Sequence, residues 1–576
     1  LSSAASDVYK RQKIDREKRI RYNDIVINCL SEGSKRVKNR ILQNRYKLWY
    51  MFCFMILGMI DQRRGSAVGE VQMLFSNLTG ITIAMLLIPS LNCERFKQKI
   101  YLYWTPICLI MTIVAIVLGQ RTWTYKGQWI TGVLNLTVWS YLLIYIFREW
   151  RSLDIVTRLK QPFYWLIFAF FILMVLSQHE KTETLWYLLI YGGFYIIGIP
   201  ENKRKDFLTG MLNGILAWFF IQQIIAFGFR PYDFVRYRGL YSGETQSGLF
   251  YMLVYCAFFV KWLWGKQEKQ NKWLCFFYFL MAAGNVGFMI LAGSRSGVLG
   301  AVVVTLVILT VYDIVVKKSF YGWLLHGAGL LLCVILTMPA VYVTVRYLPT
   351  ILHHPIWFEG EYREDESVRS FDPWDSPRYI SVEEMIDHNI GRILHAIGID
   401  IIYEKYENSL GSMKVCAKEI EEIGEAGSSP DNPYMLDDVD SNNAMWDRIV
   451  IYSYYWNHLN LLGHIGEGQG FYMNKWTYWG HAHNMFLQTA YHYGIPAGIL
   501  FILIWIYGII RAIRMRKPEG WVCVAYLLAI ACFGMLEMVV TPGQITVPIM
   551  WIMLYFAGLE SYSKSCRGEN IEKRAE

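Results

Sequence analysis

Apolar residues in this chain gather in long runs rather than in stripes. The runs lie at 46–60, 71–91, 100–119, 129–147, 162–178, 183–200, 207–229, 247–264, 273–292, 297–316, 322–346, 495–513, 520–540 and 543–560. A bilayer core takes roughly 20 such residues as helix, so the pattern predicts about fourteen transmembrane helices. The polar stretches between runs are short everywhere except at 347–494. The expected fold is therefore an all-α polytopic membrane protein with a large extracellular loop or cap between the eleventh and twelfth helices.

Charge gives the runs a direction. Every second connection is rich in Lys and Arg: Arg95, Lys97 and Lys99; Arg148, Arg151, Arg158 and Lys160; Lys203 to Lys205; Lys261, Lys266, Lys269 and Lys272; Lys317 and Lys318; Arg511, Arg514, Arg516 and Lys517; and the tail from Lys564 to Arg574. The positive-inside rule puts these at the cytoplasmic face and both termini inside. The domains expected are a basic cytoplasmic tail at 13–47, eleven helices over 48–346, the extracellular cap at 347–494, three helices over 495–560 and a cytoplasmic tail at 561–576. The first twelve residues, LSSAASDVYKRQ, open without methionine and are expected to be non-native read-through at the edge of an assembled fragment.

Composition narrows the class further. With 54% hydrophobic residues, 18% charged and a mean hydropathy of +0.25, the chain is too apolar for a soluble globular protein of this length. The net charge of +9 is dispersed in short clusters between apolar runs, which argues for membrane topology and against a nucleic-acid surface. The 347–494 loop contains only Cys416, so no disulfide can form within it. Within the loop, 381–406 has helix-like spacing of apolar residues, and 424–443 is rich in turn formers. Asp438, Asp440 and Asn442 are spaced like calcium ligands, but the glycine and closing glutamate of such a loop are absent.

Three polar features then share the outer face: FRPYDFVRYRGLYSGETQSG at 229–248, AGSRSG at 292–297, and the end of the cap, WGHAHNMFLQTAYHYGIPAGILFILIW, at 479–505. A helix running unbroken from His483 would bury Gly494 and Pro496 in mid-membrane, whereas Ile495 to Ile513 alone spans roughly 28 Å. The helix is expected to restart at Ile495, with Pro496 in its first turn, where a missing N–H is harmless. Met485 to Tyr493 then becomes a short helix on the outer face, with His483 and Asn484 at its start.

In these residues the chain resembles the O-antigen polymerase and O-antigen ligase superfamily of bacterial envelope glycan enzymes. The resemblance rests on Arg238 and Leu240 flanking Gly239, Ser294 to Gly297, Arg448 ahead of the glycines at 463–470, and His483-Asn484 followed by Gly494. It covers roughly the C-terminal two thirds. The chain departs from the family pattern in two places. Ser242-Gly243-Glu244-Thr245 stands where Pro-Asn is usual, and Ala497 delays the second glycine after His-Asn to Gly498.

The resemblance implies transfer of a glycan from a polyprenyl-diphosphate carrier to the hydroxyl of a glycan acceptor at the outer leaflet of the cell membrane. It implies no cofactor, metal or nucleotide sugar, and the long cap points to polymerase over ligase. Membrane lipids and other polysaccharide assembly proteins would be the further partners. The residue types suit that chemistry. A sugar hydroxyl needs a base with a pKa near neutrality, which His483 can supply, and a departing diphosphate needs guanidinium groups, for which Arg448, Arg238 and Arg295 are the candidates. Asn484 and Glu537 complete the expected site. Trp446, Trp456, Trp476 and Trp479 could stack on sugar faces.

The same residues have plainer readings. Arg238 and Arg295 could meet lipid phosphate, Arg448 a carboxylate inside the cap, and His483 could cap or pack a helix. Glu537, near the outer end of an apolar run, needs a partner in either case. His481 and His483 could share a metal, but no carboxylate or cysteine joins them at ligand spacing in the sequence. A polysaccharide or lipid-linked oligosaccharide flippase or exporter is the alternative function. It lacks the internal repeat and midplane charges common in transporters. A membrane anchor or sensor would leave the outer arginines unexplained. The topology is directly testable: in a cysteine-free background on intact cells, an impermeant thiol reagent should label Pro430→Cys, and Lys266→Cys only after lysis. Labelling of 266 without 430 would invert the whole arrangement.

Overall fold

In a computed structural model, residues 44–62, 70–118, 123–153, 161–179, 181–229, 237–241, 243–351, 444–465, 471–474, 477–479, 481–539 and 543–559 are described. They are overwhelmingly helical. In order they form α1 (44–62), α2 (Glu70–Leu87), α3 (Lys99–Leu118), α4 (Trp123–Glu149), α5 (Pro162–Leu176) and α6 (Lys181–Ile197, with a π-helical stretch at Leu188–Gly192). Next come α7 (Glu201–Phe229), α8 (Glu244–Gln267), α9 (Lys272–Leu291), α10 (Arg295–Leu309, widening into a π-helix at Thr310–Val316), α11 (Phe320–Ile351) and α12 (Ala444–Asn457). A small antiparallel ribbon pairs β1 (Phe471–Asn474) with β2 (Thr477–Trp479), and α13 (Met485–Tyr493), α14 (Ile495–Met515), α15 (Pro518–Gly534) and α16 (Thr546–Gly558) follow.

Each of the apolar runs read from the sequence falls on one of these helices. Nine among the described residues are long and apolar enough to cross a membrane, while α5, α6, α15 and α16 are apolar but shorter. The chain is thus an α-helical polytopic membrane protein. The candidate helix at 381–406 and the 424–443 stretch lie outside the described residues.

The hub of the bundle is α8. Leu249 to Val260 are buried almost without interruption around its whole circumference, as expected for a helix apolar on every side. It packs against α7, α9, α10 and α15, and α15 in turn joins it to α14 and α16. Hydroxyls inside this packing hydrogen-bond to neighbouring backbone: Tyr526 to Leu253 O at 3.2 Å and Tyr195 to Trp551 O at 2.8 Å. Such pairing is obligatory where no water can substitute. At the periphery, α3 and α11 expose rows of Leu, Ile and Val along most of their length, the surface a bilayer would cover.

One end of the bundle gathers the helix breaks. The chain leaves α13 at Gly494, at φ +95°, and restarts at once as α14, with Pro496 in the first turn. The reading from the sequence is met at both points. The backbone groups released at the break are taken by the 458–465 loop. Ile495 N–H donates to Asn460 O at 2.9 Å and His464 N–H to Tyr491 O at 3.0 Å, while Leu462 O ties the loop to the end of α5 by accepting from Gln178 N–H at 2.7 Å. Gly463, at φ +76°, lies so close that a Cβ there would strike His492 O, and one on Gly494 would strike Leu461 O. Both positions therefore require glycine, for backbone angle and for space. Gly463→Ala and Gly494→Ala should each destabilise this end by about 1–3 kcal/mol. The measurement is hydrogen exchange over 458–465 and 485–495, which should speed up there while α8 stays protected; unchanged protection would refute the clamp.

Candidate functional site

The strap of residues 481–484 runs over the C-terminal end of α15. The last carbonyls of a helix have no partners within it, and here Met535 O accepts from Asn484 Nδ2 at 3.1 Å and lies 3.1 Å from the Tyr452 hydroxyl. The same hydroxyl lies 3.2 Å from His483 O, so one donor is shared between strap and helix end. Asn484 works in both directions. Its Oδ1 accepts from Phe486 N–H and Leu487 N–H, each at 3.0 Å, and so caps α13. Gln488, one turn on, accepts from Ala482 N–H at 2.6 Å and donates to His492 Nε2 at 2.6 Å, pinning the strap from beneath.

Held at both sides, His483 adopts φ +47°, uncommon for a residue other than glycine. Its Nδ1 lies 3.0 Å from Glu537 Oε2, and both side chains are only 13% exposed. Glu537 follows the last turn of α15, its N–H donating to Phe533 O at 2.9 Å. A carboxylate is unfavourable beside the negative end of a helix dipole, and a ring N–H is the partner that relieves it. A carboxylate can only accept, so the shared proton sits on Nδ1 and the Nε2 lone pair of a neutral ring is directed away from the glutamate. A histidine paired in this way could act as a base with the carboxylate orienting its ring.

The His481 ring lies 4.2 Å from that of His483, and its Nδ1 accepts from His483 N–H at 3.4 Å. Burial first, and then the neighbouring His483 ring, hold the His481 pKa down at about 4, against the opposing pull of Glu537. On the far side of α13, the ring of His492 stacks on that of His179 at 4.1 Å. Its pKa is driven well below the ordinary histidine value by burial and by His179 and His464. Among the described residues no three His, Cys, Asp or Glu side chains stand where they could hold a metal ion.

The arginine loops lie at the same end of the bundle. Tyr237 N–H donates to Leu291 O at 2.8 Å, tying the Arg238 turn to the end of α9, four residues before Arg295. Gly239 has φ +58°, and a Cβ there would come 2.7 Å from the Tyr251 hydroxyl, which explains the glycine after Arg238. Beneath it lies a buried polar layer: Tyr237 donates to Gln223 Oε1 at 3.4 Å, and Gln223 Nε2 to the Tyr251 hydroxyl at 3.3 Å. Ser294 caps α10 by accepting from Gly297 N–H at 3.3 Å and fills the space left by Gly248 on α8, which sets Arg295 exposed in the first turn. Arg238 is half-buried.

A hydrogen-bonded path joins this region to the turn after Glu537. Leu240 O accepts from Gln62 Nε2 at 3.0 Å, Asp61 Oδ1 accepts from Ile545 N–H at 3.1 Å, and Thr546 donates to Val539 O at 2.6 Å. Of the residues expected from the sequence, His483, Asn484 and Glu537 are thus in one contacting cluster, while Arg238 and Arg295 share the end of the bundle through their loops. Arg448 is helical, four residues before Tyr452, and its side chain lies outside the described residues, as do those of Trp446, Trp476 and Trp479. Tyr452, Gln488 and the Asp61-Gln62 pair were not foreseen. A polar pair ending a largely apolar helix was the available signal for Asp61-Gln62. Comparison of the chain with protein-family models, curated proteins and solved structures found no match.

The depressed histidines make the strap sensitive to acid. Above pH 6.5, the ordinary histidine value, both rings are neutral in folded and unfolded chain alike and the strap keeps its full stability. As pH falls towards about 4, the unfolded chain takes up protons that buried His481 and His492 refuse, so stability is lost across that window. Hydrogen exchange of 481–493, corrected for intrinsic rate, should be faster at about pH 5 than at pH 7. A His481→Gln/His492→Gln variant should lose most of that difference; a wild-type strap indifferent to pH would refute the argument.

Proposed function

We propose that this chain is a metal-independent membrane glycosyltransferase of the O-antigen polymerase or ligase type. It extends or attaches a cell-envelope or capsular polysaccharide at the outer face of the plasma membrane. In this reading the fourteen helices α1–α11 and α14–α16 cross the bilayer, both termini are cytoplasmic, and 347–494 is an extracellular cap that ends in the His483 strap and α13. The observation that carries it is the His483–Glu537 pair, held under strain at the end of the bundle that also bears Arg238 and Arg295.

The donor is a glycan on a polyprenyl diphosphate and the acceptor a sugar hydroxyl. His483 Nε2 takes the hydroxyl proton while the acceptor oxygen forms its bond to the anomeric carbon. The bond from that carbon to the diphosphate oxygen breaks, and its electron pair leaves with the diphosphate. Glu537 keeps the ring in the accepting tautomer and stabilises the imidazolium that results. Arg238, Arg295 and Arg448 would hold the growing negative charge. Asn484 positions the strap.

The test is turnover of a lipid-linked oligosaccharide by the purified full-length chain. His483→Ala should lower the rate by about 10²–10⁴, the usual share of a positioned base. Glu537→Gln, which leaves an acceptor but no charge, should lower it by about tenfold to a hundredfold. Protein yield and melting temperature should change little in either. Wild-type turnover in His483→Ala would remove histidine from the mechanism, and translocation of donor without any transfer would favour the exporter.

A further inference from the structure

At the other end of α8, the short connection to α9 frames a cavity of about 660 Å³ between these two helices and α11. Its rim carries Lys266, Lys269 and Lys272, with His326 facing them from α11, and none of the described residues lining it is acidic. Two carboxylates stand behind this lining, each already paired. Glu268 pairs with Lys205 at 2.6 Å and also accepts from Gln270 Nε2 at 3.2 Å, and Asp313, buried in the π-helical part of α10, accepts from His326 Nδ1 at 2.7 Å. The other nitrogen of that ring accepts from Lys266 Nζ at 2.6 Å, and the ammonium also sits 4.9 Å from the Trp262 ring. Lys266 is thus oriented by an imidazole and an indole face, with the Asp313 carboxylate behind the imidazole rather than in direct contact. Three ammonium groups around one concavity repel each other and favour an anion between them.

The remaining wall indicates what carries that anion. Phe276, one turn along α9 from Lys272, is 51% exposed, and Leu325 on the facing helix is 57% exposed. The lysines sit where two apolar spans end, at Gln267 and Lys272, and the apolar wall begins a turn further into the span. A free phosphate would meet the rim and leave the wall bare. A phospholipid would meet both, its headgroup at the level where lysines attract anionic lipid and its chain against the helices. We propose that this cavity binds the phosphate headgroup of an anionic membrane phospholipid, with an acyl chain lying along Phe276 and Leu325. On the charge alternation of the loops, this lipid belongs to the inner leaflet.

The full chain, purified in mixed phosphatidylglycerol and phosphatidylcholine, tests this by native mass spectrometry of retained lipid. The wild type should retain phosphatidylglycerol over phosphatidylcholine by about fivefold or more, and Lys266→Gln/Lys269→Gln/Lys272→Gln should bring the ratio to about one. Excess inorganic phosphate should leave the retained lipid in place. An unchanged preference in the triple variant would overturn the site, and displacement of the lipid by inorganic phosphate would overturn the lipid in favour of a soluble anion. If the triple variant does not fold, Lys272→Glu, exposed at the start of α9, replaces it. Its ratio should drop at least about threefold, and an unaltered ratio counts against the site in the same way.

Discussion

Every helix that stops at the edge of an apolar bundle leaves backbone N–H and C=O groups that cannot be abandoned there. Meeting that demand at one end of this molecule organises everything described around His483. The break at Gly494 is filled by the backbone of the 458–465 loop, and the end of α15 is filled by Asn484 and Tyr452. Because the groups doing the filling belong to the strap and to α12, satisfying the helix ends also fixes the strap. Gly463 and Gly494 permit the approach, since any side chain at either would push the two backbones apart.

The geometry of the His483–Glu537 pair follows from this constraint. A strap tied to α15 on one side and to Gln488 on the other has little freedom left, and it holds His483 in a backbone conformation that a residue of its kind rarely adopts. The ring is thereby delivered to Glu537, whose position beyond the helix end makes a donor welcome. His481, kept neutral by burial, adds no competing charge beside the pair. On the proposed function, a base built this way would be oriented before any substrate arrives, the condition under which acid–base catalysis is effective.

The two arginine loops use the same economy of small residues. Gly239 lets the Arg238 turn lie on Tyr251, and Gly248 lets Ser294 cap α10 against α8, so each arginine is carried on a tight turn fastened to the central helix. The link from Gln62 and Asp61 through Ile545 and Thr546 means that α1, whose sequence is among the least distinctive of the apolar runs, helps to hold the loops at that end together.

Much of this was legible in the chain. The apolar runs marked the helices because burying a helix in lipid or protein demands a length of apolar residues that sequence displays directly. The restart at Ile495, the short helix before it and Asn484 at its start were readable because proline, glycine and capping side chains act within a turn of their own position. The candidate residues His483, Asn484 and Glu537 were visible one by one as polar groups at the rims of apolar segments. What sequence could not supply was their partnership. Glu537 stands 54 residues from His483, and no periodicity relates them. Tyr452 and Gln488 looked like any interfacial tyrosine and glutamine. Their roles arise only when α12, α13 and α15 converge on one set of unsatisfied backbone groups, and which side chains reach those groups is decided by packing in three dimensions.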